Sequence, residues 1–201
     1  MKAVLISIQP KWCELIASGK KTVEVRKTKP KLETPFKVYI YCTQGKSKGD
    51  FITKSEKFGY LTGHEGSFYN RAKEYDANGK VIGEFVCDKV VEFENDCYEP
   101  AFDETAELSC VGVKGLYDYL GTKEYGYGWH ISDLVIYDKP KELSEFARFC
   151  DGVGGNIGCR GCQYYYSENT ESGSYEECCC DNLRPIKRPP QSWCYVEGVD
   201  R

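Results

Sequence analysis

Three side chains near the start of the chain have the types and spacing for chemistry on a polar or anionic ligand. In "GKKTVEVR" (residues 19–26), Lys21, Glu24 and Arg26 bring an ammonium, a carboxylate and a guanidinium within six residues. Read as a strand, the segment places Thr22, Glu24 and Arg26 on one face and Val23 and Val25 on the other. Glu24 and Arg26 are then about 6–7 Å apart along that face. The Arg26 fork suits a phosphate or a carbonyl edge, and Lys21 adds a point charge at the rim. Glu24 can accept from either cation or serve as a general base on water, so Lys21 and Glu24 are the catalytic candidates if the protein is an enzyme. The competing reading of the same residues is a salt bridge at the mouth of a barrel.

A second chemistry lies in the cysteines. Of 12 in the chain, seven fall within residues 150–194. Cys159 and Cys162 form a C-x-x-C pair among glycines, and the triplet Cys178, Cys179, Cys180 follows 16 residues later. That spacing predicts a four-thiolate structural zinc site built from Cys159, Cys162, Cys178 and Cys180, with Cys150 as an alternative fourth ligand. The surrounding segment has too few apolar residues to fold by burial, and metal binding can supply that free energy. Reduced loose cysteines or disulfides are the alternative. Cys13, Cys42 and Cys87 sit in apolar surroundings and read as small core residues.

The elements that must hold these groups follow from patterning. Residues 3–9 read as a strand and "KWCELIASG" as a helix that admits Pro10 in its first turn and stops at Gly19. Strands follow at 21–27 and 36–43. Residues 44–80 are polar and form a long excursion, with a short helix placed near 68–76. Residues 80–94 make one long strand or two, with a bend or bulge at Gly83. Residues 97–112 read as irregular, 114–121 as a helix ending on Gly121, 127–138 as a strand, and 140–147 as a short helix or turn starting at Pro140. Residues 192–198 return to a strand. This order predicts an α+β fold, a small, partly open β-barrel with short flanking helices. The expected organisation is a barrel over 1–148 with 44–80 inserted, a Cys-rich zinc-binding segment over 149–190, and a last strand and tail over 191–201.

Composition narrows the function classes. The net charge is −4, yet residues 1–60 carry 13 Lys+Arg against 5 Asp+Glu. A basic N-terminal third is a footprint for an anionic partner such as nucleic acid, or a solvated lysine-rich surface. No apolar run approaches the roughly 20 residues that span a bilayer. The opening "MKAVLISIQP" is short for a signal peptide, so the expected location is cytoplasmic. Trp129 and His130 point to opposite faces of their strand, one to the core and one available to a cleft. Trp12, Tyr127 and Trp193 offer stacking surfaces or core bulk. Arg184, Lys187 and Arg188 make a basic, proline-stiffened loop.

Three segments together resemble the ASCH domain of the PUA-like superfamily: "LISIQPKWCELIASGKKTVEVRK" (5–27), "GYGWHISDLVIYDKPKELSEF" (126–146) and "RPPQSWCYVE" (188–197). Gly19, Lys21, Glu24 and Arg26 occupy the positions of the family's G-x-K-x-x-E-x-R signature. The last two segments resemble phage and prophage ASCH proteins, which also carry a Cys-rich segment before their last strand. The resemblance implies a PUA-like β-barrel with a cleft beside the signature strand, and binding of RNA, single-stranded nucleic acid or a modified nucleoside. Lys21, Glu24, Arg26, Trp129 and His130 are the ligand-binding candidates. One branch of the family deacetylates N4-acetylcytidine with a Lys and a Thr from this strand and a distant carboxylate. Lys21 matches that Lys, Glu24 stands at the Thr position, and Thr22 lies two residues earlier. A nucleoside amidohydrolase or RNA hydrolase is therefore the alternative function, and a zinc-stabilised protein-interaction module the second alternative.

Overall fold

The computed structural model describes residues 1–44, 50–55, 59–64, 77–96, 98–149 and 183–198. The zinc candidates Cys150, Cys159, Cys162, Cys178 and Cys180, and the helix expected near 68–76, lie outside the described residues.

A seven-stranded mixed sheet organises the chain. Its middle is β1 (Lys2–Ile8), parallel to β3 (Phe36–Cys42) on one side and antiparallel to β12 (Trp193–Glu197) on the other. Outward from β3 come β6 (Lys80–Cys87) and the edge strand β9 (Ser132–Glu142). Outward from β12 come β10 (Ala147–Phe149) and β11 (Leu183–Pro185). The run AVLISI in β1 is buried throughout because both faces of the sheet are covered. Val4, Ile6 and Ile8 join Val38, Ile40 and Phe85 in an inner core closed by α1 (Pro10–Ala17) through Cys13 and Ile16. Ala3, Leu5, Tyr39 and Val81 face the other way, under Phe146 and Ile186.

A second sheet of three strands, β2 (Val23–Arg26), β8 (Tyr125–His130) and β7 (Val90–Glu94), covers the inner core with Trp129. Its outer face packs on α2 (Pro100–Leu108) and α3 (Gly112–Leu120) through Val25, Phe93, Phe102, Leu116 and Leu120. A hairpin of β4 (Asp50–Ser55) and β5 (Gly59–His64) lies beside α1.

Several expectations hold in detail. Gly19 has φ 73° just beyond α1, the left-handed position that stops a helix cheaply with glycine. The bulge expected at Gly83 is present: the β6–β9 register shifts there, and a Cβ on Gly83 would stand 2.5 Å from the Val135 carbonyl oxygen. Cys13, Cys42 and Cys87 are core residues.

Others need correction. The sheets are not joined into one barrel by strand pairing among the described residues; they are separate layers over a shared core. The single strand expected at 127–138 is two strands in different sheets, broken at Ile131 with Asp133 at φ 44°. The short helix or turn expected over 140–147 is a 3₁₀ turn at Leu143–Glu145, and it starts three residues later than expected because Pro140 belongs to the end of β9. Proline is tolerated there because β9 is an edge strand. The segment read as irregular contains α2, whose pattern of Phe102, Thr105 and Ala106 is too weakly apolar to announce an amphipathic helix. No helix among the described residues is long and apolar enough to cross a membrane.

Candidate functional site

The chain's leading chemical candidates meet at the floor of a cleft of about 630 Å³ between α1, β2 and α3. The turn after α1 delivers Lys21: the backbone N–H groups of Lys20 and Lys21 both donate to the Leu15 carbonyl, at 3.0 Å. Lys21 Nζ donates to the Ser109 carbonyl at 2.8 Å and pairs with Glu24 Oε2 at 3.2 Å. Glu24 Oε1 is 2.8 Å from Arg26 Nη2. The same guanidinium donates across to β1, to the Ser7 carbonyl at 2.7 Å, and Nη1 reaches Ser192 Oγ at 3.4 Å. One carboxylate is thus bridged by two cations, and all three side chains are at least nine-tenths buried. The salt-bridge reading of the motif survives in altered form, because the bridge is buried and the cleft opens onto it.

The walls come from helices. On one side, Gln9, Lys11 and Trp12 present the first turn of α1, with the Trp12 ring near both Lys11 Nζ (4.6 Å) and Lys21 Nζ (5.4 Å). On the other, Val111, Gly115, Asp118 and Tyr119 form one stripe of α3, next to the stripe of Leu116 and Leu120 that enters the core. Burial raises the Tyr119 phenol above its ordinary pKa of 10.0, with the Arg26 guanidinium pulling the other way, so the hydroxyl stays a donor at neutral pH. Asp118 is held by Lys114 at 2.8 Å.

The other candidates fall elsewhere. Trp129 pairs in register with Glu24 but is fully buried, edge-on to Phe36 at 5.7 Å. His130 is half-exposed outside the cleft, its Nδ1 2.6 Å from Asp88 Oδ1. Thr22, Tyr127, Trp193, Lys187 and Arg188 do not line the cleft either. Trp193 instead packs against Trp129 and donates its indole N–H to Thr28 Oγ1 at 3.1 Å. Among the described residues, no three His, Cys, Asp or Glu side chains converge as a metal group.

Lys11, Asp118 and Tyr119 were not legible as site residues. The only sequence signal was the 111/115/118/119 spacing on a helix short enough to read as a connector.

The His130 contact holds the Asp88 carboxyl below its ordinary pKa of 3.8. A depressed carboxylate stabilises the fold above its unfolded pKa, and that contribution is lost as pH falls through the lower folded value. Replacing His130 with Ala should move the Asp88 midpoint up toward 3.8 in an NMR titration. An unmoved midpoint would place the cause elsewhere.

A mixed sheet backed by α1, a short strand carrying Glu24 and Arg26 with Lys21 in the turn before it, and a cleft at that strand define the class. The chain belongs to the ASCH domain family, which matches residues 6–132. Among solved structures it resembles the crystal structure of ASCH from Zymomonas mobilis, with a TM-score of 0.53 and 16% identity over 97% of this chain and 87% of that one. A mutant of that protein matches equally, at 0.53 and 16% over 97% and 88%. At that identity the likeness concerns the fold. No curated protein matches the chain in sequence.

Proposed function

We propose that this protein binds a nucleobase of RNA or single-stranded nucleic acid, or of a modified nucleoside, in the cleft beside β2. The observation that carries this reading is the floor: two buried cations share a single carboxylate, which leaves one positive charge in excess beneath an opening walled by Trp12 and Tyr119. Aromatic walls offer stacking to any base, and Arg26 Nη1 offers a donor to its carbonyl edge. ASCH membership and the basic N-terminal third point the same way. The test is equilibrium binding of the four common nucleosides, N4-acetylcytidine and mixed-sequence RNA at low salt. Arg26→Lys keeps the charge and removes the Nη1 donor, and should weaken binding about tenfold. Failure of every probe to bind overturns the reading.

Hydrolysis is the alternative outcome of the same experiment. Both Glu24 oxygens already accept from cations, so activating a water would require Glu24 to release one of them. Turnover of N4-acetylcytidine or RNA that vanishes in Glu24→Gln would establish it.

The cysteines at 159, 162, 178 and 180, or Cys150 in place of one of them, are proposed to hold one structural zinc that staples their segment. About one zinc per chain is expected from a four-thiolate site, reduced in Cys159→Ser. A folded, metal-free preparation would refute it. A phage or prophage origin remains part of the same proposal and rests on the resemblance of residues 126–146 and 188–197.

A further inference from the structure

Lysines around the cleft fall into two groups. Lys29 is paired with Glu92 at 2.9 Å and Lys114 with Asp118 at 2.8 Å. Lys11 and Lys27 are exposed and have no carboxylate partner among the described residues. Both instead lie over cleft aromatics on different walls. Lys11 Nζ is 4.6 Å from the Trp12 ring centroid on the α1 side, and Lys27 Nζ is 5.2 Å from the Tyr119 ring on the α3 side. A cation over an aromatic face is attracted by the ring but keeps its charge.

Two further features of the cleft favour an anion. The first turn of α1 carries no acidic residue and its N-cap makes no side-chain cap bond, so the positive end of the helix is uncompensated there. Independently, Arg26 in the cleft floor is nine-tenths buried, and its Nε has no hydrogen-bond partner among the described residues.

We infer that the cleft receives its base as an internal nucleotide of a single strand, with one flanking phosphate at Lys11 and the start of α1 and the other at Lys27. This rests on the proposed reading of the cleft and chooses within it. A free nucleoside has no charge for either lysine to meet, whereas a chain-embedded nucleotide has a phosphate on each side. Lys29, neutralised by Glu92, lies outside this path.

The full-length protein should be titrated with the four nucleosides, their 5′-monophosphates, and a mixed-sequence RNA ten-mer over a range of salt. The ten-mer should bind at least tenfold more tightly than any nucleoside, with monophosphates between. Lys11→Ala and Lys27→Ala should each weaken ten-mer binding several-fold and reduce its log–log salt slope by about 0.7, the value for one phosphate of a single strand. Nucleoside binding should be unchanged in Lys27→Ala, whose side chain does not line the cleft, and Lys29→Ala should alter neither quantity. Equal affinity for nucleoside and ten-mer overturns the inference while leaving the cleft reading intact. So does an unchanged salt slope in the Lys11/Lys27 double variant. If no probe binds, the cleft reading itself fails and this inference with it.

Discussion

Glu24→Ala is expected to lower the free energy of unfolding by about 3–5 kcal/mol, the cost of stranding buried charge. Glu24 is the only anion of the triad, and its loss leaves Lys21 and Arg26 facing each other across buried space. Each keeps one strong backbone acceptor, Ser109 for Lys21 and Ser7 for Arg26, which argues for the lower end of the range. Glu92→Ala provides the comparison. That residue's pair with Lys29 is about half-exposed, and solvent screening leaves it worth little. Urea unfolding of the two variants should separate them by several-fold in midpoint shift. Similar small shifts would mean that the triad is solvated.

A companion variant distinguishes stability from function. Replacing Lys21, Glu24 and Arg26 together by apolar residues of similar length removes both the attraction and the desolvation cost. Such replacements of buried ion groups are often neutral or stabilising by about 1–4 kcal/mol. The triple variant should therefore fold and fail to bind. A triple variant that retains binding would show that the ligand never meets the cleft floor.

The second large effect concerns the α1 wall. Trp12→Ala should weaken base binding by about 1–3 kcal/mol, the usual worth of one base–aromatic stack. The ring is only half-buried, so the fold should tolerate the loss, and Trp12→Phe should recover most of the affinity. Fluorescence anisotropy with labelled RNA would read the change. Wild-type affinity in Trp12→Ala would remove stacking on this wall and leave Tyr119 as the remaining aromatic platform.

Val23 and Val25 alternate with Glu24 and Arg26, so a strand with one polar face followed from the period alone. The helix before it declared itself by Pro10 at one end and Gly19 at the other. By contrast, α2 is not legible in the sequence, because Phe102 is the sole large apolar residue of its buried stripe. The stretch 127–138 reads as one strand because nothing in its composition marks Ile131 as the point where the chain changes sheets. His130 was a reasonable ligand candidate by type, but its side chain goes to Asp88, 42 residues away in sequence, which no local pattern encodes.

The signature strand, its charged trio, the bulge glycine and the membership of a fold family can be read from residue order alone. These depend on short-range periodicity and on residue types at fixed offsets, which are local properties. The burial of the trio away from an exposed mouth, the place of Trp129 in the core and the meeting of Lys11, Trp12 and Tyr119 at one cleft emerge from long-range packing. Those outcomes depend on where α1 and α3 pack against β2. That packing is set by Cys13 and Ile16 in one apolar core and by Leu116 and Leu120 in another, contacts between residues far apart in the chain. Burial also changes the magnitude of the same ion pair from a marginal surface contact to one of the costliest interactions to break in the molecule.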